Sequence, residues 1–351
     1  MEQIYIPERD YKVLVRCFTY NQSKYIEETL NGFAIQQTSF PFVCLVMDDC
    51  STDGEQEVIK QWMERECDMD KVEYVEIELS NIVLVPHKTN GYCTFAFFFL
   101  KTNLYKKQSV KLQLVASWRE HCIYEAFCEG DDYWTSSTKL REQVNFMDNN
   151  PDYGMCYTNC DVIYQENNKI ITNLLTQHNR IAEYKNLEDY IINRGYVAPP
   201  TWLYRREFLP SQSQKVKSVD GTFVYFAYFL AHTKVKFINC STAIYRVLEE
   251  SACHSKSYEK EYLREKNLLS VQLSLCEQYE LPKDVSRRCE IGHYRHNLKR
   301  FIIYDKMEDV RHARKLIENK TIQERILFVV SSSKAGRRLL RIVYNNLRKF
   351  K

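Results

Sequence analysis

Phe42-Val43-Cys44-Leu45-Val46-Met47-Asp48-Asp49-Cys50-Ser51-Thr52-Asp53-Gly54 is the stretch that decides the fold class. Its apolar run has the length of a strand, and a strand without polar alternation suits a parallel sheet covered on both faces. The run stops at two adjacent aspartates, and the Ser, Thr, Asp and Gly that follow favour a turn. A helix is predicted next, with Val58, Ile59, Trp62 and Met63 facing inward. The same order stands upstream. Val13-Leu14-Val15 reads as a buried strand, and Cys17-Phe18-Thr19-Tyr20-Asn21 leads out of it. Ser23 is placed to cap a helix, with Glu27 and Glu28 near its positive end. Ile26, Leu30, Phe33 and Ala34 form one face of that helix. Strand, helix, strand, helix opens a βαβ sheet, whose ligands bind at the carboxyl ends of the strands. Tyr20, Asp48 and Asp49 fall at such ends.

A third strand end carries the densest charge. Tyr124-Glu125-Ala126-Phe127-Cys128 reads as a buried strand and runs into Glu129-Gly130-Asp131-Asp132-Tyr133-Trp134. Neighbouring carboxylates repel one another unless a cation is shared. A divalent cation, which prefers oxygen ligands, accounts for them. So does an acidic turn that caps the next helix, in which Leu140, Val144 and Met147 form the apolar face and Asn149-Asn150-Pro151 marks the stop.

The rest of the chain reads less evenly. Residues 72–79 and 82–85 look like strand material, whereas 86–118 is expected to be helix with loops. Residues 155–164 are a strand candidate. Residues 166–198 are polar and irregular, with one helix around Leu187, Tyr190 and Ile191. Thr201-Trp202-Leu203-Tyr204 is strand-like, an all-round apolar helix is predicted over 222–231, and 235–238 and 242–246 are predicted as two closing strands. From about Tyr258 only helical spacing remains. The expected division is therefore 1–255 as an α/β domain and 256–351 as a helical extension.

Composition bounds the function. The 351 residues suit one large domain with an appendage, or two domains. Lys+Arg number 49 against 46 Asp+Glu, a net +3, which disfavours a nucleic-acid binder held by bulk charge. Thirteen scattered cysteines without a CxxC pair point to reduced thiols in a cytoplasmic protein. The N-terminus lacks a signal-peptide pattern, and the aromatic run over 95–100 is too short to span a bilayer. The end of the chain is basic, with Lys334, Arg337, Arg338, Arg341, Arg348, Lys349 and Lys351 among apolar residues. One reading of 334–351 is a terminal helix with one face packed and one solvated. The other is an interfacial helix in peripheral contact with anionic lipid at the inner face of the cell membrane. Nucleic acid ranks behind both, since no stacking platform accompanies the charge.

Three pieces now stand in order: Phe18-Thr19-Tyr20-Asn21, Met47-Asp48-Asp49-Cys50-Ser51-Thr52-Asp53-Gly54 and Glu129-Gly130-Asp131-Asp132-Tyr133-Trp134. This set resembles the family 2 glycosyltransferases of the GT-A fold, over about residues 10–250. Residues 129–157, with Asn150-Pro151-Asp152-Tyr153-Gly154, are similar to bacterial members that build surface polysaccharides. The resemblance implies a Rossmann-like, mostly parallel sheet flanked by helices. It also implies inverting transfer of a sugar from a nucleotide-sugar donor, UDP-linked by expectation, to a glycan or lipid-linked glycan acceptor.

The resemblance implies roles as well. Thr19 and Tyr20 belong to the donor site, with Tyr20 stacking on the base and Asp49 accepting its ring N–H. Asp48 supports the turn or a ribose hydroxyl, and Asp53 caps a helix. Glu129 and Gly130 contact the donor, the glycine by letting the backbone approach the diphosphate. Asp131, with Asp132 second, would hold Mg²⁺ or Mn²⁺, which neutralises the departing diphosphate. The family keeps a base before a helix about ninety residues past this motif, and Asp220 stands there, one carboxylate short of the usual acid pair. An N-cap aspartate is the other reading of Asp220, and its position in the family order favours the base. Tyr245-Arg246 resembles the family's closing segment, which assigns Arg246 to the donor. Leu248 replaces a histidine common there, and His254 lies on the loop beyond. Trp202 stands where the family forms its acceptor side, as a sugar platform or a core aromatic. The rival from another class is a non-catalytic nucleotide-sugar or glycan-binding module, which needs no base. A dehydrogenase is disfavoured, because no G-x-G-x-x-G follows the first strand.

Overall fold

The computed structural model describes residues 10–177, 180–209, 221–248 and 257–349, with backbone only over 345–349. Two compact units make up the chain. The first takes in 1–184, 196–213 and 225–256, the second 185–195, 214–224 and 257–351. A division at one chain position, as expected between 255 and 256, does not represent the two stretches by which the second unit reaches back.

The first unit is built on one sheet. Its strands in chain order are β1 (Tyr11–Thr19), β2 (Phe42–Asp48), β3 (Glu73–Glu76), β4 (Ser80–Pro86), β5 (Cys93–Leu100), β6 (Cys122–Phe127), β7 (Tyr133–Trp134), β8 (Tyr153–Tyr164), β9 (Lys169–Ile171), β10 (Trp202–Arg205) and β11 (Lys234–Val247). In space the order is β3-β4-β5-β2-β1-β6-β10-β8-β11-β7, with β9 folded onto β8. Strands β5, β2, β1 and β6 are mutually parallel, and the central β2 is buried along its whole length. The parallel register sets Thr19 opposite Asp48. The first two strand-end motifs thus emerge side by side.

Helices α1 (Ile26–Ala34) and α2 (Glu55–Glu66) cover one face, and α3 (Gln108–Glu120) the other. Strand β5 corrects the expectation of helix with loops over 86–118. Its eight residues are all buried. Phe95, Phe97 and Phe99 enter the core beneath Trp62 of α2, while Ala96, Phe98 and Leu100 enter that beneath Trp118 of α3. A strand buried on both faces loses the polar alternation that marks a strand in sequence. Each buried aromatic contributes ~1.5–3 kcal/mol.

Past β6 the sheet becomes mixed. Strand β10 is antiparallel to β6 and β8, β8 is parallel to β11, and β7 is antiparallel to β11. The two expected closing strands are one 14-residue strand with register shifts between Ile238 and Ala243. Helix α4 (Lys139–Asn149) precedes β8.

In the second unit α5 (Leu187–Ile192) starts from the Asn186 cap. Helix α6 (Gly221–His232), whose residues from Tyr225 on belong to the first unit, buries Phe223, Phe226 and Phe229, as its all-round apolar sequence requires. Then follow α7 (Tyr258–Gln278), α8 (Lys283–Ile303), α9 (Met307–Leu316), α10 (Ile322–Ser331) and α11 (Lys334–Lys349). Leu298, Phe301, Ile302, Val310, Ile317 and Phe328 form their core. Among the described residues no helix is long and apolar enough to cross a membrane.

Candidate active site

The ends of β1 and β2 lock each other. Asn21 adopts a left-handed conformation (φ 54°) that frees its side chain to accept from the Thr52 amide at 2.8 Å, and its own amide donates to Ser51 Oγ at 2.9 Å. Asp53 accepts from the amides of Ser23 and Glu55, so it caps both turns. The hub is Glu55, the first residue of α2 and fully buried. Its carboxylate accepts from the Thr19 hydroxyl, the Gln22 amide at 2.8 Å and Ser51 Oγ at 2.8 Å. Burial raises its pKa against these bonds. In sequence Glu55 is only one more acid at a helix start. Its role needs three partners brought together from two loops.

The two aspartates of the β2 turn differ in their surroundings. Asp49 is buried, and both of its carboxylate oxygens are held. Oδ1 accepts from the Leu104 amide at 2.6 Å, and Oδ2 pairs with Lys111 Nζ of α3 at 2.9 Å. Asp48 is buried too. Its Oδ1 accepts from the Ser51 amide and Gln56 Nε2, but Oδ2 has no partner. Tyr20, at the mouth of the same turn, is 45% exposed and has its ring open to solvent.

The acidic loop is stitched to this frame. The Cys128 amide donates to Arg16 O and the Gly130 amide to Phe18 O, which prolongs the β1–β6 pairing beyond β6. The Thr29 hydroxyl of α1 reaches the carbonyls of Gly130 at 2.9 Å and Asp132 at 2.6 Å. Gly130 has no room for a side chain, because a Cβ would overlap the Thr19 hydroxyl and lie 2.6 Å from Thr19 Cβ. Close packing within the chain thus already requires this glycine. Gly32 plays the same part on α1, where a Cβ would meet the Trp134 backbone at 2.8 Å.

Arg246 of β11 clamps the loop from the other side. Its backbone amide donates to Asp132 Oδ1 and its Nε to the Asp131 carbonyl, both at 2.8 Å. One terminal nitrogen pairs with Glu28 at 2.8 Å. The guanidinium also lies over the rings of Tyr25 and Tyr133. Arg246 therefore shapes the site by contacts within the chain.

Three carboxylates remain at the loop. Asp132 is buried, and burial followed by the charge of Asp131 lifts its pKa well above the usual carboxylate range. Asp131 is half-buried. Enclosure raises its pKa, against its own backbone amide, Arg246 and a bond from Gln22. Glu129 is enclosed by protein on most sides yet solvent reaches its side chain, as at the wall of a cleft. Enclosure, then the charge of Asp131, push it up to about 7. Among the described residues neither Glu129 nor Asp131 has a salt bridge, and no three His, Cys, Asp or Glu side chains already converge as a metal cage. The donor set nevertheless suits a hard cation of the Mg²⁺ type, which takes one or two carboxylates and completes its shell with phosphate oxygens and water. Asp131 and Glu129 fit that need. Asp132, buried and with Oδ1 given to the Arg246 amide, is turned to the structural side of the loop.

The remaining expected site residues separate. Trp202 is 3% exposed in β10 against Phe226, so it is a core aromatic with no face open to a sugar ring. Asp220 and His254 lie outside the described residues. Lys111 and Gln22, which hold Asp49 and Asp131, carried no sequence signal, since each acts through a partner distant in the chain.

Residues 17–78, which span β1, α1, β2 and α2, match the model of Glycosyl transferase family 2. Uncharacterized proteins of Mycobacterium bovis and Mycobacterium tuberculosis are 30% identical over 190 residues, 54% of this chain and 45% of theirs. The chain thus spans about half the length of the curated relatives it matches. Among solved structures, S. aureus TarS 1-349 in complex with UDP is similar with a TM-score of 0.53 at 18% identity, over 95% of this chain and 91% of that one. The same protein in complex with UDP-GlcNAc gives 0.53 at 15% identity, over 95% and 92%. These structural likenesses concern the fold. The family match covers the strand ends that carry Thr19, Tyr20, Asp48 and Asp49, so this segment is similar to family 2 glycosyltransferases, and the fold around it is of the GT-A type.

Proposed function

We propose that this chain transfers a sugar from a nucleoside diphosphate sugar, with inversion, to a glycan or lipid-linked glycan acceptor of surface polysaccharide synthesis. The observation that carries the reading is the acidic loop. Glu129 and Asp131 crowd together at the carboxyl end of β6, their pKa values raised, with no ion-pair partner among the described residues. Such a pair suits a ligand that brings its own cation and diphosphate. The UDP and UDP-GlcNAc held by S. aureus TarS, which has this fold, support a UDP-linked donor.

In this reading Tyr20 stacks on the base. Asp49 is held by Lys111 and Leu104 and shapes the base pocket, and Asp48 Oδ2 is the acceptor left for a donor N–H or hydroxyl. Thr19, Gln22 and Glu55 hold the strand ends together beneath the loop. Arg246 fixes the loop from behind. Asp131, with Glu129 beside it, would hold Mg²⁺ or Mn²⁺, which would supply Lewis-acid neutralisation of the diphosphate charge. The acceptor oxygen attacks the anomeric carbon, the bond from that carbon to the diphosphate oxygen breaks, and the hydroxyl proton passes to Asp220 as general base.

The test is release of nucleoside diphosphate from a panel of UDP- and GDP-sugars, with Mg²⁺, Mn²⁺ or chelator. Metal-dependent release from one donor, lost in Asp131→Asn, is the expected result. Donor binding without turnover, unchanged in Asp220→Asn, would instead assign the chain to a non-catalytic binding module.

A further inference from the structure

Helix α11 is oriented unlike an ordinary terminal helix. Leu339, Ile342 and Val343 share one face by their spacing, and all three are between 47% and 64% exposed. The opposite, basic face is the one that is anchored. Arg337 Nε pairs with Asp305 at 2.7 Å, Arg341 Nε donates to the Ile303 carbonyl at 2.6 Å, and Arg341 also reaches Asp305 at 3.3 Å. Leu340 alone of the described leucines on α11 packs on the core of the second unit. The preceding helix repeats the pattern. On α10, Ile322, Ile326 and Val329 recur at i, i+4 and i+7 and are 57% to 79% exposed. Gly336 lets the two helices meet closely, since a Cβ there would overlap the Val330 carbonyl. Two successive helices therefore hold apolar stripes in water while arginines secure the unit beneath. Water-exposed apolar stripes mark an interaction surface.

The charge around this surface selects its occupant. After Glu324 the sequence holds no acid, against eight Lys and Arg, of which Arg337 and Arg341 are engaged with Asp305 and the Ile303 carbonyl. A surface that combines exposed aliphatic side chains with one sign of charge complements an anionic lipid interface, where aliphatics enter the acyl boundary and cations stay among headgroups. We infer that α10 and α11 dock the protein on an anionic bilayer surface through Ile326, Val329, Leu339, Ile342 and Val343. The inference is independent of the donor reading, because its test needs no sugar.

The experiment is co-sedimentation of the full chain with vesicles of pure phosphatidylglycerol or pure phosphatidylcholine, at low and high salt. Wild type is expected to pellet with phosphatidylglycerol and not with phosphatidylcholine, and high salt should weaken this. The triple variant Leu339→Ser, Ile342→Ser, Val343→Ser should keep the wild-type circular dichroism spectrum and lose at least tenfold in partitioning. Failure of wild type to pellet with phosphatidylglycerol overturns the inference, as does equal binding by the triple variant. Self-association in lipid-free buffer that the triple variant abolishes also overturns it, by assigning the face to a second copy of the chain.

Discussion

At the scale of single residues, the site separates groups that look alike in sequence. Of the acids at the β6 end, Asp131 and Glu129 are both accessible and crowded, whereas Asp132 is buried. With Asp131 as the leading cation ligand, Asp131→Asn is expected to lower sugar transfer by roughly 100-fold or more, in line with the loss of one key charge-stabilising group. Nucleoside diphosphate release measured against metal concentration checks this, and activity that stays metal-dependent and near wild type would move the cation elsewhere. Asp48 and Asp49 separate in a different way. Asp49→Asn leaves the Lys111 ammonium buried without its partner and is expected to destabilise by ~3–5 kcal/mol. Asp48→Asn replaces an unpaired acceptor and is expected to weaken UDP binding about tenfold, ~1.4 kcal/mol, with little change in stability. Calorimetric titration and denaturant unfolding of the two variants distinguish these effects. If both lose only stability, neither aspartate reads the donor.

At the scale of elements, four of them meet at Glu125 in the middle of β6. Its carboxylate pairs with Arg16 of β1 and Arg119 of α3 and accepts from Tyr204 of β10, with salt-bridge distances of 2.6 Å. Burial alone would raise this carboxyl, but Arg119 and Arg16 outweigh burial and hold it at about 2. A carboxylate held below its free value of 4.5 stabilises the fold fully above that pH. The contribution fades as pH falls from there toward 2. Glu125→Gln leaves two buried cations unmatched, and is expected to cost ~3–5 kcal/mol at pH 7. The difference from wild type should stay constant between pH 5 and 7 and shrink below about 4.5. Urea unfolding at several pH values tests the sign. A difference that grows on acidification would show that the arginines do not control this carboxylate. In sequence Glu125 is one polar residue in an apolar run. Its partners lie in three other elements, so nothing local announces the cluster.

At the scale of the whole molecule, the proposed transfer needs a base as well as a donor site. Asp220→Asn is expected to reduce transfer by roughly 100- to 10,000-fold, the usual contribution of general-base catalysis, while UDP-dependent thermal stabilisation persists. Loss of both would mark Asp220 as a structural cap. Much of the architecture was legible beforehand. Residues 42–47 announced a doubly covered strand, Asp48 to Gly54 its turn, and residues 124–134 a strand that ends in acids, because burial and turn chemistry act through neighbours in the chain. Strand β5 was not legible, since a strand aromatic on both faces has no period to distinguish it from a buried helix. Trp202 was open between a sugar platform and a core aromatic, and it is core, because residues 202–205 fill a gap between β6 and β8 that only the folded sheet creates. By itself, then, the sequence determined where the strands end and which acids gather there. The tertiary structure alone decided which of those acids are free to act. Lys111, Arg246 and the Leu104 amide come from far along the chain to hold Asp49 and Asp132, and leave Asp131 and Glu129 in the cleft without an ion-pair partner among the described residues.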